Sequence, residues 1–363
     1  MLPARTLWID EKARCAGYPD GAALASAHDL KPYRVEQIYR AATRDLVDDL
    51  DAISTLPKEL RAALAGEKFE LDAVAPVVIR HSSDRQTTKG LFRLHDGAEV
   101  EAVLMEHHGG RNTVCISSQA GCAYACAFCA TGQAGFNRNL SAVEIFDQAR
   151  YFARQLARDG RKITNIVYLG MGEPFANFEN VMASVALLND PHGFGLGHRH
   201  ITISTVGLVD KIDRFADEHT QVNLAISLHA PTDATRSTIM PVNRKWSTAE
   251  LMAAVERYIG KTKRKVFFEY VMLAGVNDTD QHARDLAKLM RGPLYHVNII
   301  PYNSTPDAAL RGSDQQRIWA FAKILEQLGA AVTVRTPMGR DIAAACGQLQ
   351  AETQPKAHKA AAG

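Results

Sequence analysis

Residues 115–140 read CISSQAGCAYACAFCATGQAGFNRNL, and the cysteine spacing inside that string decides how the rest of the chain is read. Cys122, Cys126 and Cys129 stand at C-x3-C-x2-C spacing, just after a short β-prone run over 113–117. Three thiolates on one short loop hold three corners of a soft metal site and leave the fourth open to a ligand. A structural zinc site takes four ligands, and the chain has no second cysteine knuckle and no histidines at metal-ligand spacing. Two other readings compete: a zinc site completed by Cys115 or a histidine, and cysteines that are merely buried. With only Cys15 and Cys346 besides these, the cysteines are too crowded for a disulfide framework.

Working outward from the string, β-rich runs recur at 163–169, 201–206, 222–228, 266–273 and 296–301, with a last one near 331–335. Amphipathic stretches lie between most of them. Ser141-x-x-Glu144 and Ser247-x-x-Glu250 are capping boxes that open two helices, and 314–328 carries Ile318, Phe321, Leu325 and Leu328 on one face. Strand–helix alternation predicts a parallel sheet, and six units fall short of the eight of a closed barrel. The fold class is α/β, with a partial (β/α)6 barrel over 113–350. Upstream, 1–75 reads as a small helical unit, with a helix starting at Pro32 and another near Pro57, and 76–112 as an antiparallel β connector with a turn at Asp96-Gly97. Residues 351–363 lack periodicity and read as a frayed tail.

The 363 residues carry 42 Lys plus Arg against 40 Asp plus Glu, a balance that excludes gross electrostatic binding of nucleic acid but allows local basic patches. Candidates for such patches are Arg80, Arg85 and Lys89, the run Lys261 to Lys265, and Arg244-Lys245-Trp246. No apolar run is long enough to span a bilayer and the first residues lack an apolar signal core, so a cytoplasmic protein without membrane contact is expected.

In a parallel barrel, chemistry gathers at the C-terminal ends of strands. Gly170-Met171-Gly172-Glu173-Pro174 follows the second β run. Alone it is an ordinary turn with a solvated glutamate; after a metal-binding loop, its glycines permit close approach of a ligand and Glu173 offers an acceptor for an ammonium group. Ser204, Ser227, His229 and Asn303 also sit at strand ends, where each singly is a strand-terminating hydrogen bonder and together they point into a barrel mouth. Cys346 lies among alanines, a setting common for a small buried hydrophobe, but Gly347 after it suggests a tight loop from which the thiol projects.

The string at 115–140, with GMGEP (170–174), STVG (204–207), SLHAP (227–231), NIIPYN (298–303) and AACGQL (344–349), resembles the radical S-adenosylmethionine (SAM) enzymes. Within them it resembles the bacterial dual-specificity adenine C2-methyltransferases of 23S rRNA and tRNA, the RlmN type. KPYRVEQIYRA (31–41) and STLPKELRAAL (54–64) resemble that family's RNA-binding accessory domain. The resemblance covers nearly the whole chain, apart from the first ~25 residues and the tail.

The resemblance implies a radical SAM barrel in which Cys122, Cys126 and Cys129 ligate a [4Fe–4S] cluster. It implies that Gly172, Glu173, Ser204, Ser227, Leu228 (through its backbone), His229 and Asn303 bind SAM. It makes Cys346 the residue that is methylated by a first SAM. A 5′-deoxyadenosyl radical from a second SAM then abstracts hydrogen from that S-methyl group, and the resulting carbon adds to adenine C2. Cys115 becomes the resolving thiol, in a transient disulfide with Cys346. Glu101 becomes the acceptor of the C2 proton, with Glu99 as the alternative because the loop at 106–110 is longer than in relatives. The implied partners are 23S rRNA at the peptidyl-transferase centre, tRNA beside the anticodon, and an external electron donor such as a flavodoxin-type reductant, with a monomer expected. A C8-methylating resistance relative shares the cysteines, and a non-catalytic zinc-stabilised RNA-binding module is the rival of a different class. Cys15 matches no motif and reads as structural.

Overall fold

The computed structural model describes residues 3–218, 220–305 and 309–349; the tail expected over 351–363 lies outside them. Four helices open the chain: α1 (Ala4–Cys15), α2 (Gly21–Ala27), α3 (Pro32–Thr43) and α4 (Lys58–Gly66). Pro32 occupies the first turn of α3, where its missing N–H costs nothing. The first two helices were not legible in the sequence; α2 depends on Asp20, whose carboxylate accepts from the Ala23 N–H at its start.

Next come β1 (Val74–His81), β2 (Thr87–Leu94), β3 (Glu99–Glu106) and β4 (Asn112–Cys115), then the small hairpin β5 (Gln119–Gly121) and β6 (Phe136–Asn139), with α5 (Ala130–Ala134) inside it. The remainder alternates: α6 (Ala142–Ala157), β7 (Asn165–Tyr168), α7 (Phe178–Asn189), β8 (Ile201–Thr205), α8 (Val209–Asp217), β9 (Asn223–Ser227), α9 (Asp233–Ile239), α10 (Thr248–Thr262), β10 (Val266–Met272), α11 (Asp280–Leu289), β11 (Tyr295–Pro301), α12 (Gln315–Gln327) and β12 (Val332–Val334). Both capping boxes form as read, Ser141 with Glu144 and Ser247 with Glu250.

One 10-stranded sheet runs in the order β1-β2-β3-β4-β7-β8-β9-β10-β11-β12. From β4 onward neighbouring strands are parallel, which makes the partial barrel and puts the ends of its strands on one side. The β connector is not a separate piece. β1, β2 and β3 pair antiparallel and β3 pairs with β4, so they extend the barrel sheet at its edge. The register lines up Arg80, Lys89, Val103, Cys115 and Val167 in one row across five strands.

Hydrophobic burial is continuous from Trp8 in α1 to Leu349. Helix α6 joins the N-terminal helices to the barrel with buried polar groups as well. Lys12 of α1 pairs with Asp147 at 3.2 Å. Arg150 donates to the carbonyls of Ala42, Val47 and Leu71 and pairs with Asp72. An arginine held by so many acceptors is costly to remove, because each carbonyl left behind is buried without a donor.

Candidate active site

The cluster loop is built for a tight path. Gly121 takes φ +82°, where a Cβ would meet the Gly135 carbonyl oxygen at 2.1 Å. Ala125 also has positive φ, and the loop closes on itself through Cys122 N–H to the Gly135 carbonyl (2.8 Å) and Cys129 N–H to the Cys126 carbonyl (3.1 Å). All three cysteines are free; Cys126 is buried and Cys122 and Cys129 are half-buried. Burial pushes the Cys122 thiol up to about 12 and Cys126 well above its ordinary value.

The three thiols line one cavity with Gly170, Gly172, Glu173, Ser204, Ser227, His229, Glu269, Asn303 and Cys346 among its walls. Among the described residues no three His, Cys, Asp or Glu side chains are grouped so as to hold a metal ion. Three soft thiol donors from one loop line this cavity, a donor set that fits an iron–sulfur cluster held at three of its corners.

Glu173 is buried, and its carboxylate accepts from Phe175 N–H (3.0 Å), Thr205 Oγ1 (2.6 Å) and Val206 N–H (2.8 Å). Burial still lifts it to about 7 against those hydrogen bonds. A carboxylate in that state gains most from a cation, because a positive charge beside it offsets the loss of water. Gly172, at φ +99°, lies against Gln119, so no larger residue fits there.

Ser204 and Ser227 line the same cavity from the ends of β8 and β9. His229 follows with φ +56°; its Nδ1 accepts from the Val271 N–H at 3.0 Å, and burial depresses the ring to about 3. The ring is therefore neutral, with its proton on Nε2 available to donate. Leu228 is not among the lining residues. Its N–H donates to the Glu269 carbonyl and its carbonyl accepts from Arg236 Nε, so its backbone already has protein partners.

Cys346 stands in a C-terminal loop that folds back over the barrel mouth. Gly347 has φ +83°, as a tight loop requires. Ala130 N–H donates to the Gly347 carbonyl (2.8 Å) and Thr131 Oγ1 to the Leu349 carbonyl (2.5 Å), so the loop is stitched to the helix that follows the cluster cysteines. Asn303 donates to the Cys346 carbonyl at 3.3 Å and accepts from Arg340 at 2.7 Å.

A second cavity lies beside the first and shares with it Leu169, Ile300, Pro301, Asn303, Cys346 and Leu349. Its further walls include Val103, Met105, His107, Arg111, Cys115 and Arg335. Cys346 thus sits on the partition, while Cys115, at the end of β4, lines only the second cavity. Cys346 is exposed by its surface and lines both cavities; loss of water to the protein packed around it, with Glu269 nearby, pushes its thiol up to about 12. Cys115 rises to about 12 through burial, with Cys346 adding to it.

Glu101 is buried on β3, two residues from Val103, and therefore on the face that carries Val103 and Cys115. It does not itself line the second cavity. Its side chain pairs with Lys89 at 3.0 Å. This corrects one expectation: Lys89 is 4% exposed and cannot serve as a surface contact for phosphate. Arg244 and Lys245 are exposed, and they lie just after Met240, which lines the first cavity. The Lys261 to Lys265 run instead precedes β10, at the opposite end of the strands. Cys15 is exposed at the end of α1.

Two site residues were not found in the sequence. Glu269 is buried in β10, with Oε1 accepting from Asn298 and Arg335 and Oε2 without a hydrogen-bond partner among the described residues; a glutamate inside the apolar run VFFEYVM was its signal. Arg236 is buried and donates to the carbonyls of Val206, Ser227 and Leu228, tying the ends of β8 and β9 together.

Residues 116–287 match the Radical SAM superfamily. The chain is 48% identical over 328 residues to the probable dual-specificity RNA methyltransferase RlmN of Chloroflexus aurantiacus, covering 87% of this chain and 86% of that one. It is 42% identical over 322 residues to the protein of the same name in Bacillus subtilis, covering 89% and 88%. The crystal structure of a radical SAM methyltransferase from Sphaerobacter thermophilus superposes with a TM-score of 0.88 at 46% identity, covering 95% of this chain and 99% of that one.

Proposed function

Because the chain belongs to the family of dual-specificity RNA methyltransferases of the RlmN type, within the radical SAM superfamily, we propose that it methylates C2 of adenine in 23S rRNA, at the peptidyl-transferase centre, and in tRNA beside the anticodon. The family makes it an RNA-methylating enzyme that uses a [4Fe–4S] cluster and SAM. The observation that carries the finer reading is the position of Cys346 on the wall common to two cavities, one lined by the motif cysteines and the other by Cys115.

On this reading Cys122, Cys126 and Cys129 hold the cluster, and Gly172, Glu173, Ser204, Ser227, His229 and Asn303 receive SAM in the first cavity. Cluster and SAM together supply one-electron chemistry that no side chain performs. The chain's own work is to carry and release carbon. Cys346 would give up its Sγ proton and take a methyl group on the resulting thiolate, then present the methylated sulfur to a base in the second cavity. The adenine leaves its stack to enter there. Glu101 accepts the C2 proton. Cys115 releases the product: its thiolate sulfur bonds to Cys346 Sγ as the sulfur–carbon bond breaks, the electron pair stays with the carbon, which takes a proton to become the methyl group, and an external thiol reductant then reduces the disulfide. An external one-electron donor in the cytoplasm completes the proposal.

The cysteine pair tests it. Cys346→Ala should stay unmethylated and form no RNA adduct, whereas Cys115→Ala should acquire the methyl group, bond to RNA and stall. Denaturing gels should show a persistent protein–RNA species for Cys115→Ala alone, and digestion of wild-type product should yield 2-methyladenosine. Normal turnover by Cys115→Ala, or 8-methyladenosine in the digest, would overturn the reading.

A further inference from the structure

Lys89 is a buried lysine on β2 whose ammonium faces two groups from different parts of the chain. Its Nζ lies 3.0 Å from Glu101 Oε1 and donates to the Ala343 carbonyl at 3.2 Å. Ala343 is three residues before Cys346. In the strand register Lys89 stands opposite Val103, and Val103 stands opposite Cys115. Lys89, Glu101 and Cys115 therefore share one face of the sheet, and the Cys346 loop is the element laid over it. Contact between β2 and that loop continues at its start, where Gly339 sits so close to Thr87 that a Cβ would come within 2.7 Å of it.

We propose that Lys89 is a positioning residue for the RNA methylation: it holds Glu101 as a carboxylate and ties the Cys346 loop to the same ammonium group, so that base and carbon carrier meet one adenine together. This rests on the reading of Glu101 as the acceptor of the C2 proton. The argument is electrostatic. Burial alone favours the neutral acid, and a neutral carboxyl accepts no proton from C2. An ammonium at hydrogen-bond distance reverses that preference, and a buried ammonium is itself costly unless paired. Through the reaction Glu101 is the group that changes protonation.

The same geometry separates Glu101 from Glu99. Glu99 pairs with Arg93, whose side chain is 54% exposed. Lys89 links Glu101, instead, to the loop that carries Cys346. The other titratable groups on this face and against it include Arg80 on β1, Glu99 with Arg93, His107 and Arg111 at the far end of β3, the thiols of Cys115 and Cys346, Arg335 after β12, and Asp341, which accepts from the Ser83 N–H.

The test is the pH profile of RNA methylation by the reconstituted holoenzyme. Lys89→Met should lose turnover about tenfold or more near neutral pH and recover part of it as pH rises. Its acidic limb should move upward by about one to three pH units, the range by which an adjacent opposite charge shifts a carboxyl group. Lys89→Arg, which keeps the charge, should leave the limb in place. Should Lys89→Met not fold, Lys89→Gln removes the charge while still donating hydrogen bonds to Glu101 and Ala343. A uniform loss at every pH in the charge-removing variants, or an unmoved limb, would overturn the proposal. Full turnover by Glu101→Gln would instead overturn the base assignment beneath it, and so the two failures are distinguishable.

Discussion

The cluster loop over 119–135 and the C-terminal loop over 335–349 both deliver cysteines to the same cavity, but they are held there in opposite ways. The cluster loop closes mainly on itself, through a hairpin, a turn at Cys126 and positive φ at Gly121, Ala125 and Gly135, with Ala127 N–H also donating outward to the Ile239 carbonyl (2.9 Å). The C-terminal loop borrows its shape. It takes hydrogen bonds from Lys89 on β2, from Ala130 and Thr131 on α5, and from Asn303 after β11, and Gln348 donates to the Ser304 carbonyl at 3.1 Å. The first kind of loop can be read as a local motif. The second can be read only as a cysteine and a glycine, because its partners come from far along the chain.

The comparison is sharpest where it predicts all-or-none against graded behaviour. Removing one corner of the self-contained loop should be total: Cys126→Ala, reconstituted without oxygen, should fall from about four irons per chain to nearly none and lose methylation, while Cys346→Ala keeps its iron. Iron retained by Cys126→Ala would break the distinction.

An intermediate effect is expected at Glu173, which stands between the loops at the end of β7. Glu173→Gln should weaken SAM binding about ten- to a hundredfold, the loss of a charge-assisted bond worth roughly 1.5–3 kcal/mol, measured by calorimetry. Without cofactors the same residue works against stability at high pH. Its carboxyl stands at about 7 in the folded chain against an ordinary 4.5, so the folded state binds the proton more tightly. The stability this contributes is full below about 4.5 and lost as pH rises through about 7. The gap in urea midpoint between Glu173→Gln and the parent should therefore widen in favour of the variant from pH 5 to pH 8.

The smallest effects should come from the borrowed stitches. Thr131→Val removes the donor to the buried Leu349 carbonyl and should cost about 1–2 kcal/mol in chemical denaturation. Iron content should be unchanged while the rate of Cys346 methylation falls. If methylation is untouched, the loop does not need that stitch.

Much of this was legible beforehand. The cysteine spacing, the strand–helix alternation and both capping boxes follow from short-range patterns, and Gly347 announced the turn that presents Cys346. The polar residues at strand ends were legible because a parallel sheet places such ends side by side. Lys89 was misread, since a cation beside Arg80 and Arg85 looks like part of a basic surface until the register shows which face it occupies. Arg236 and Glu269 were missed because their partners are carbonyls and side chains of other strands, which no local window contains.

The sequence alone determined the barrel, the cluster loop and the residue types offered to a cofactor, since each depends on contacts within about one turn, one strand or one loop. The tertiary structure decided the rest. It merged the connector into the barrel sheet, aligned Lys89, Val103 and Cys115 in one row, and laid the Cys346 loop between two cavities. Those outcomes depend on strand register and on burial of charges whose partners lie far apart in the chain. A one-residue slip in register would turn every side chain of the strand to the other face and leave the same sequence without the site.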